Sequence, residues 1–76
     1  MKRILYIEDH EDTVETVKTI LSKAGFEVDI ASSGKEGIKK TKNHYDLILL
    51  DIMLPDMSGW DIFQTLRKKL RSNMFF

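Results

Sequence analysis

Glu8 and Asp9 stand together after one short apolar run, Ile4-Leu5-Tyr6-Ile7, and Asp51 stands after another, Leu47-Ile48-Leu49-Leu50. Carboxylates in such places can act as a nucleophile, as hard oxygen ligands, or as both. Each run is short, and Asp51 is followed by Ile52-Met53-Leu54, Pro55 and a turn closing on Gly59. The pattern reads as strands buried on both faces, as in a parallel sheet. Ligands of such sheets collect beyond the carboxyl ends of the strands, where these acids fall. If the two strands are neighbours the carboxylates converge, and like charges held together raise the free energy unless a cation sits among them. Hard oxygen ligands with room for water suit Mg²⁺ or Mn²⁺. Such an ion would also neutralise a phosphoryl group brought up to Asp51, whose carboxylate oxygen could attack phosphorus.

The elements that must position these acids follow from periodicity. Strands are expected over about 3–8, 26–31 and 46–51, and helices over about 12–24, 34–42 and 59–71. In the first helix Val14, Val17, Leu21 and Ala24 recur every three or four residues, with Gly25 as the C-terminal cap. Phe26, Val28 and Ile30 alternate with Glu27 and Asp29, as expected of a sheet edge. Ser33 to Glu36 and Ser58 to Asp61 match the capping box that opens a helix, although Gly37 weakens the second helix. Trp60, Phe63, Leu66 and Leu70 form the apolar stripe of the third, and Trp60 and Phe63 are read as core residues. Strand–helix alternation argues for a parallel α/β sheet with right-handed crossovers.

Composition narrows the function classes. A chain of 76 residues is at most one small domain, and at that size folding buries only roughly 60% of the surface exposed by the unfolded chain. Twelve basic and twelve acidic residues cancel, giving no reason to expect nucleic acid or an anionic membrane as partner. The charges are unevenly placed: five acids between Glu8 and Glu15, and a basic cluster of Arg67, Lys68, Lys69 and Arg71. Cysteine is absent, which excludes disulfides and thiolate sites, and no apolar stretch reaches the ~18 residues of a membrane span. The chain is read as soluble and cytoplasmic. His10 and His44 are read as solvated loop residues, because neither has a second His or a Cys at metal spacing.

The strand ending in an acidic pair, Ser32-Ser33-Gly34-Lys35-Glu36-Gly37, and the segment Asp51 to Gly59 together resemble the receiver domain of bacterial two-component response regulators. The resemblance covers residues 1–76 and implies a flavodoxin-like α/β fold: a truncated (βα)3 parallel sheet in strand order 2-1-3 with helices on both faces. It implies that Asp51 accepts a phosphoryl group from a histidine kinase or phosphotransfer protein. It further implies that Glu8, Asp9, Asp51 and the backbone carbonyl of Met53 hold Mg²⁺, with Glu8 in place of the more usual Asp. The domain would be a phosphoacceptor and not an enzyme, apart from self-phosphorylation by small phosphodonors. The Ser or Thr expected after the fourth strand and the Lys after the fifth lie outside these residues, and Asn73 to Phe76 read as the beginning of the fourth.

Other readings compete. Two acids ahead of a helix also serve as an N-cap and a favourable charge, worth ~0.3–1 kcal/mol, and a lone Asp51 would serve as a turn-former. A flavin or nucleotide site needs a Gly- and Ser-rich loop after the first strand, where Glu8-Asp9-His10-Glu11-Asp12 would repel phosphate. A haloacid-dehalogenase-type phosphatase needs a second Asp at position 53, which is Met. The alternative from another class is a truncated or half-domain receiver acting as a self-associating interaction module. The third strand would then present an open apolar edge, favouring a homo-oligomer formed through it.

Overall fold

The computed structural model describes residues 2–51, 54, 56, 59–69 and 73–75, with side-chain surroundings for these residues other than 59, 68, 69 and 73–75. The first apolar run forms β1 (Arg3–Ile7), followed by α1 (Glu11–Lys23), β2 (Glu27–Ala31), α2 (Gly34–Lys40), β3 (Leu47–Leu50), α3 (Gly59–Lys69) and β4 (Asn73–Phe75). β1 pairs in parallel with β2 on one side and β3 on the other, so Leu5 lies between Asp29 and Ile48, and Ile7 between Ala31 and Leu50. The strand order is β2-β1-β3-β4. It contains the expected 2-1-3 arrangement and leaves β2 at an edge, as its alternating pattern requires.

The change of direction between the β1-to-β2 and β2-to-β3 steps puts α1 on one face and α2 on the other when both crossovers are right-handed. Packing agrees: α2 lies against α3, β1 and β2, whereas α1 lies against β2. On the α2/α3 face, Leu5, Ile7, Ile48 and Leu50 meet Ile62 and Leu66 of α3, with Ile38 of α2 packed alongside. The opposite face carries Ile4 and Tyr6 of β1, also buried. α1 itself has no buried residue, and its stripe of Val14, Val17 and Leu21 is only half-buried.

The ends of α1 and α2 follow local chemistry. Gly25, at φ +93°, closes α1: its N–H donates to the Ser22 carbonyl and that of Phe26 to the Leu21 carbonyl, both at 3.1 Å. This is the paired C-terminal motif for which a left-handed glycine is suited. At α2 the Ser33 hydroxyl accepts the Glu36 N–H at 3.1 Å, while the Glu36 carboxylate reaches Ser32, accepting from its N–H at 3.0 Å and its hydroxyl at 2.8 Å. The capping box is therefore made with its return arm shifted by one residue. Ser58, from which the third helix's capping box was expected to start, lies outside the described residues.

Three expectations are corrected. β3 is not an open edge, because β4 pairs with it in parallel from Leu47 to Leu49; the ladder satisfies backbone groups that an edge strand would leave unpaired. Trp60 is not a core residue, being 64% exposed. Leu66 of the expected stripe and Ile62, four residues apart on one helix face, fill the core, and Trp60 stacks on half-buried Phe63 at 5.7 Å between ring centroids. Third, α2 ends at Lys40 rather than Lys42; the N–H groups of Thr41, Lys42 and Asn43 donate to carbonyls three residues back, so the last turn tightens.

Candidate functional site

Sheet pairing brings the acids together. The N–H of Asp51 donates to the Ile7 carbonyl at 3.0 Å and that of Glu8 to the Ala31 carbonyl at 3.0 Å, so both residues extend the ladder just past the strands. Ligand atoms of Glu8, Asp9, His10 and Asp51 all lie within 4.8 Å of one another. Met53, expected to offer its carbonyl, lies outside the described residues.

Glu8 is buried, with 8% of its surface exposed. Its Oε1 accepts from the Tyr6 hydroxyl at 3.4 Å, and its Oε2 accepts from the Asp9 N–H at 3.1 Å. Burial, followed by the charge of Glu8, raises the Tyr6 pKa above its ordinary value near 10.0, keeping the phenol protonated as a donor. The carboxylate is thus oriented by neighbours on its own strand end. Asp9 is partly exposed, yet its Oδ1 is shut off from solvent and accepts no hydrogen bond from a described residue.

His10 is exposed just ahead of α1, as its reading as a solvated loop residue expects, and it has one further feature. Its side chain is exposed, but Nδ1 lies 3.2 Å from Glu8 Oε2 and 3.2 Å from Asp9 Oδ1. The hydrogen bond to Glu8, then the charges of Asp9 and Glu8, raise its pKa above 6.5. Metal-spacing rules pass over it because the groups beside it are carboxylates; its place directly after the acidic pair was the available signal. His10 is also the N-cap of α1 and makes no side-chain capping bond, while Glu11 and Asp12 occupy the first turn. Glu8 and Asp9 are therefore not spent as caps.

Asp56 bonds to the first residues of α2. Its Oδ1 accepts from the Gly34 N–H at 2.8 Å and its Oδ2 from the Lys35 N–H at 3.0 Å. These two backbone donors, that of Gly34 first, depress its carboxyl pKa. Periodicity did not single out this residue, because its partners at the start of α2 are 22 and 21 residues away in the chain.

A groove of about 380 Å³ runs from Glu8 and Asp9 along α1, lined also by Glu11, Asp12 and Glu15. It is strongly acidic, so an anion would approach only with a cation in place. A larger hollow of about 650 Å³ lies along α2 beside Lys35, Lys39 and Lys42, and none of the clustered acids lines it. The clustered carboxylates, the imidazole nitrogen and the orphaned Asp9 oxygen fit a divalent cation in donor chemistry and spacing.

Residues 4–74 match the response regulator receiver domain family. The transcriptional regulatory protein HprR of Escherichia coli is 52% identical over 66 residues, 86% of this chain and 30% of HprR. The response regulator TrrA of Thermotoga maritima in complex with Mg(2+)-BeF superposes with a TM-score of 0.92 at 37% identity, covering 97% of this chain and 66% of TrrA. TrrA in complex with the histidine kinase ThkA gives a TM-score of 0.91 at 38% identity, with the same coverage. The chain thus spans less than a third of HprR and about two thirds of the TrrA chains.

Proposed function

The chain belongs to the response regulator receiver family, and from that premise we propose that Asp51 accepts a phosphoryl group from a histidine kinase or phosphotransfer protein. The observation that carries the reading is the placement of Asp51 within 4.8 Å of Glu8 and Asp9 at the carboxyl end of the sheet. Glu8, Asp9, Asp51 and the Met53 carbonyl would hold Mg²⁺ or Mn²⁺. The bound ion supplies positive charge that offsets the carboxylates and the incoming phosphoryl oxygens. TrrA, the relative in complex with Mg(2+)-BeF, supports this assignment.

The residues divide the work. Asp51 attacks through a carboxylate oxygen: an O–P bond forms, the P–N bond to the donor histidine breaks, and the imidazole leaves with that electron pair. Glu8, held by the Tyr6 hydroxyl and the Asp9 N–H, keeps its oxygens turned into the site. Asp56 binds the N-terminal backbone N–H groups of α2. The kinase partner is supported by the ThkA–TrrA complex. The segment acts as a partial receiver; a small phosphodonor would reach Asp51 by the same chemistry.

The test is incubation with acetyl phosphate or phosphoramidate and Mg²⁺, followed by intact-mass measurement. Wild type should gain one phosphoryl group that Asp51→Asn does not. Equal labelling of both, or of neither, would remove Asp51 from the role.

A second reading, a self-associating interaction module, has one observation in its favour. α1 buries none of its residues, Ile20 is 61% exposed, and Leu47 and Leu49 on the same side of the sheet are only half-buried. Sedimentation velocity reads this association directly.

A further inference from the structure

We propose that His10 is an additional ligand of the acidic site through Nδ1, and that it biases the site from Mg²⁺ toward nitrogen-preferring divalent ions such as Co²⁺ and Zn²⁺. The inference rests on the reading of Glu8, Asp9 and Asp51 as metal ligands. The nitrogen stands 3.2 Å from Glu8 Oε2 and 3.2 Å from Asp9 Oδ1. Two donors bound to one ion at about 2.1 Å are about 3.0 Å apart at a right angle and about 3.4 Å apart at the tetrahedral angle. Both observed separations fall between these values, so Nδ1 already stands at the spacing of a neighbouring ligand from each of the two oxygens.

A second observation separates ligation from simple hydrogen bonding. A proton on Nδ1 can be directed at only one acceptor, and Glu8 Oε2 lies at hydrogen-bond distance, 3.2 Å. Asp9 Oδ1, equally near, is left shut off from solvent without a donor among the described residues. A cation shared by the three atoms satisfies both oxygens at once. Glu8 is held by neighbours, and the exposed imidazole sits at the N-cap of α1 free of any capping bond. Little reorganisation separates this arrangement from a bound one.

Imidazole nitrogen favours Co²⁺ and Zn²⁺, whereas Mg²⁺ prefers oxygen and retains water. His10 therefore acts on metal choice, and the carboxylates on metal binding as such.

Calorimetric titration of Mg²⁺ and of Co²⁺ into the full chain and into His10→Ala tests this, with ring ¹⁵N spectra recorded on adding Zn²⁺. Removing the imidazole should lower Co²⁺ affinity by about tenfold or more and Mg²⁺ affinity by less than about threefold. Zn²⁺ should move a ring Nδ1 resonance that is missing from His10→Ala. Because the side chain is exposed, the variant should fold, which circular dichroism checks. If Mg²⁺ and Co²⁺ affinities are unchanged or fall equally in His10→Ala, or if Zn²⁺ binds without moving that resonance, the role of His10 is overturned and the carboxylate site stands. If no ion binds wild type, both readings are overturned.

Discussion

At the far end of the strands from Asp51, single residues also control how the protein responds to acid. Asp29 Oδ2 accepts from the Tyr45 hydroxyl at 2.7 Å and from Arg3 Nη2 at 3.0 Å, while the Arg3 guanidinium lies over the Tyr45 ring. The Tyr45 bond, then the charge of Arg3, holds the Asp29 pKa below its ordinary 3.8. A carboxyl with a depressed folded pKa stabilises the fold above its unfolded value and loses that contribution as pH falls through the folded one. Stability should accordingly decline below about pH 4–5, and Asp29→Asn should flatten part of that decline. Urea unfolding followed by circular dichroism between pH 7 and pH 3 checks it, and an unchanged slope in Asp29→Asn would contradict the assignment. None of this network was legible in the sequence, because its members lie on separate elements. The acids of the site were legible, since each directly follows an apolar run; His10 was not, since its role depends on where its ring turns.

Among the elements, α2 shows how a local weakness can serve packing. Gly37 lowers helix propensity by about 1 kcal/mol relative to Ala, which the sequence alone presents as a defect. In the fold, a Cβ at this position would meet the side chain of Ile7, with Cγ1 at 2.8 Å, and Ile7 is fully buried in the core. Glycine is what lets α2 lie close against β1. Gly37→Ala should therefore destabilise by about 1–3 kcal/mol despite its better propensity, read as a lower urea midpoint. Adding Ile7→Val, which shortens the blocking side chain, should recover part of the loss. A stabilised single variant would show that the helix shifts outward easily. The third helix teaches a related lesson. Its apolar residues cover more than one face; spacing found Leu66, and contact with the sheet chose Ile62 over Trp60.

For the molecule as a whole, the two faces of the sheet are unequally covered. One receives α2 and α3 and holds the main core, whereas the other receives α1, which buries no residue. Exposed apolar area of this kind favours association. At micromolar concentration the 76-residue chain should sediment as a reversible dimer that Ile20→Lys dissociates; a wild-type monomer would end the self-association reading. The route differs from the one the strand pattern suggested, because β4 closes the edge of β3. The sequence by itself determined the strand–helix alternation, the three acids at strand ends and the membership of the receiver family. These depend on periodicity and on motifs contained within short stretches. Only the tertiary structure decided that β4 pairs along β3, that His10 turns into the acids, and that Asp56 bonds to the start of α2. Those outcomes rest on pairing and packing between residues distant in the chain, where burial and backbone hydrogen bonding select among arrangements that local pattern leaves equal.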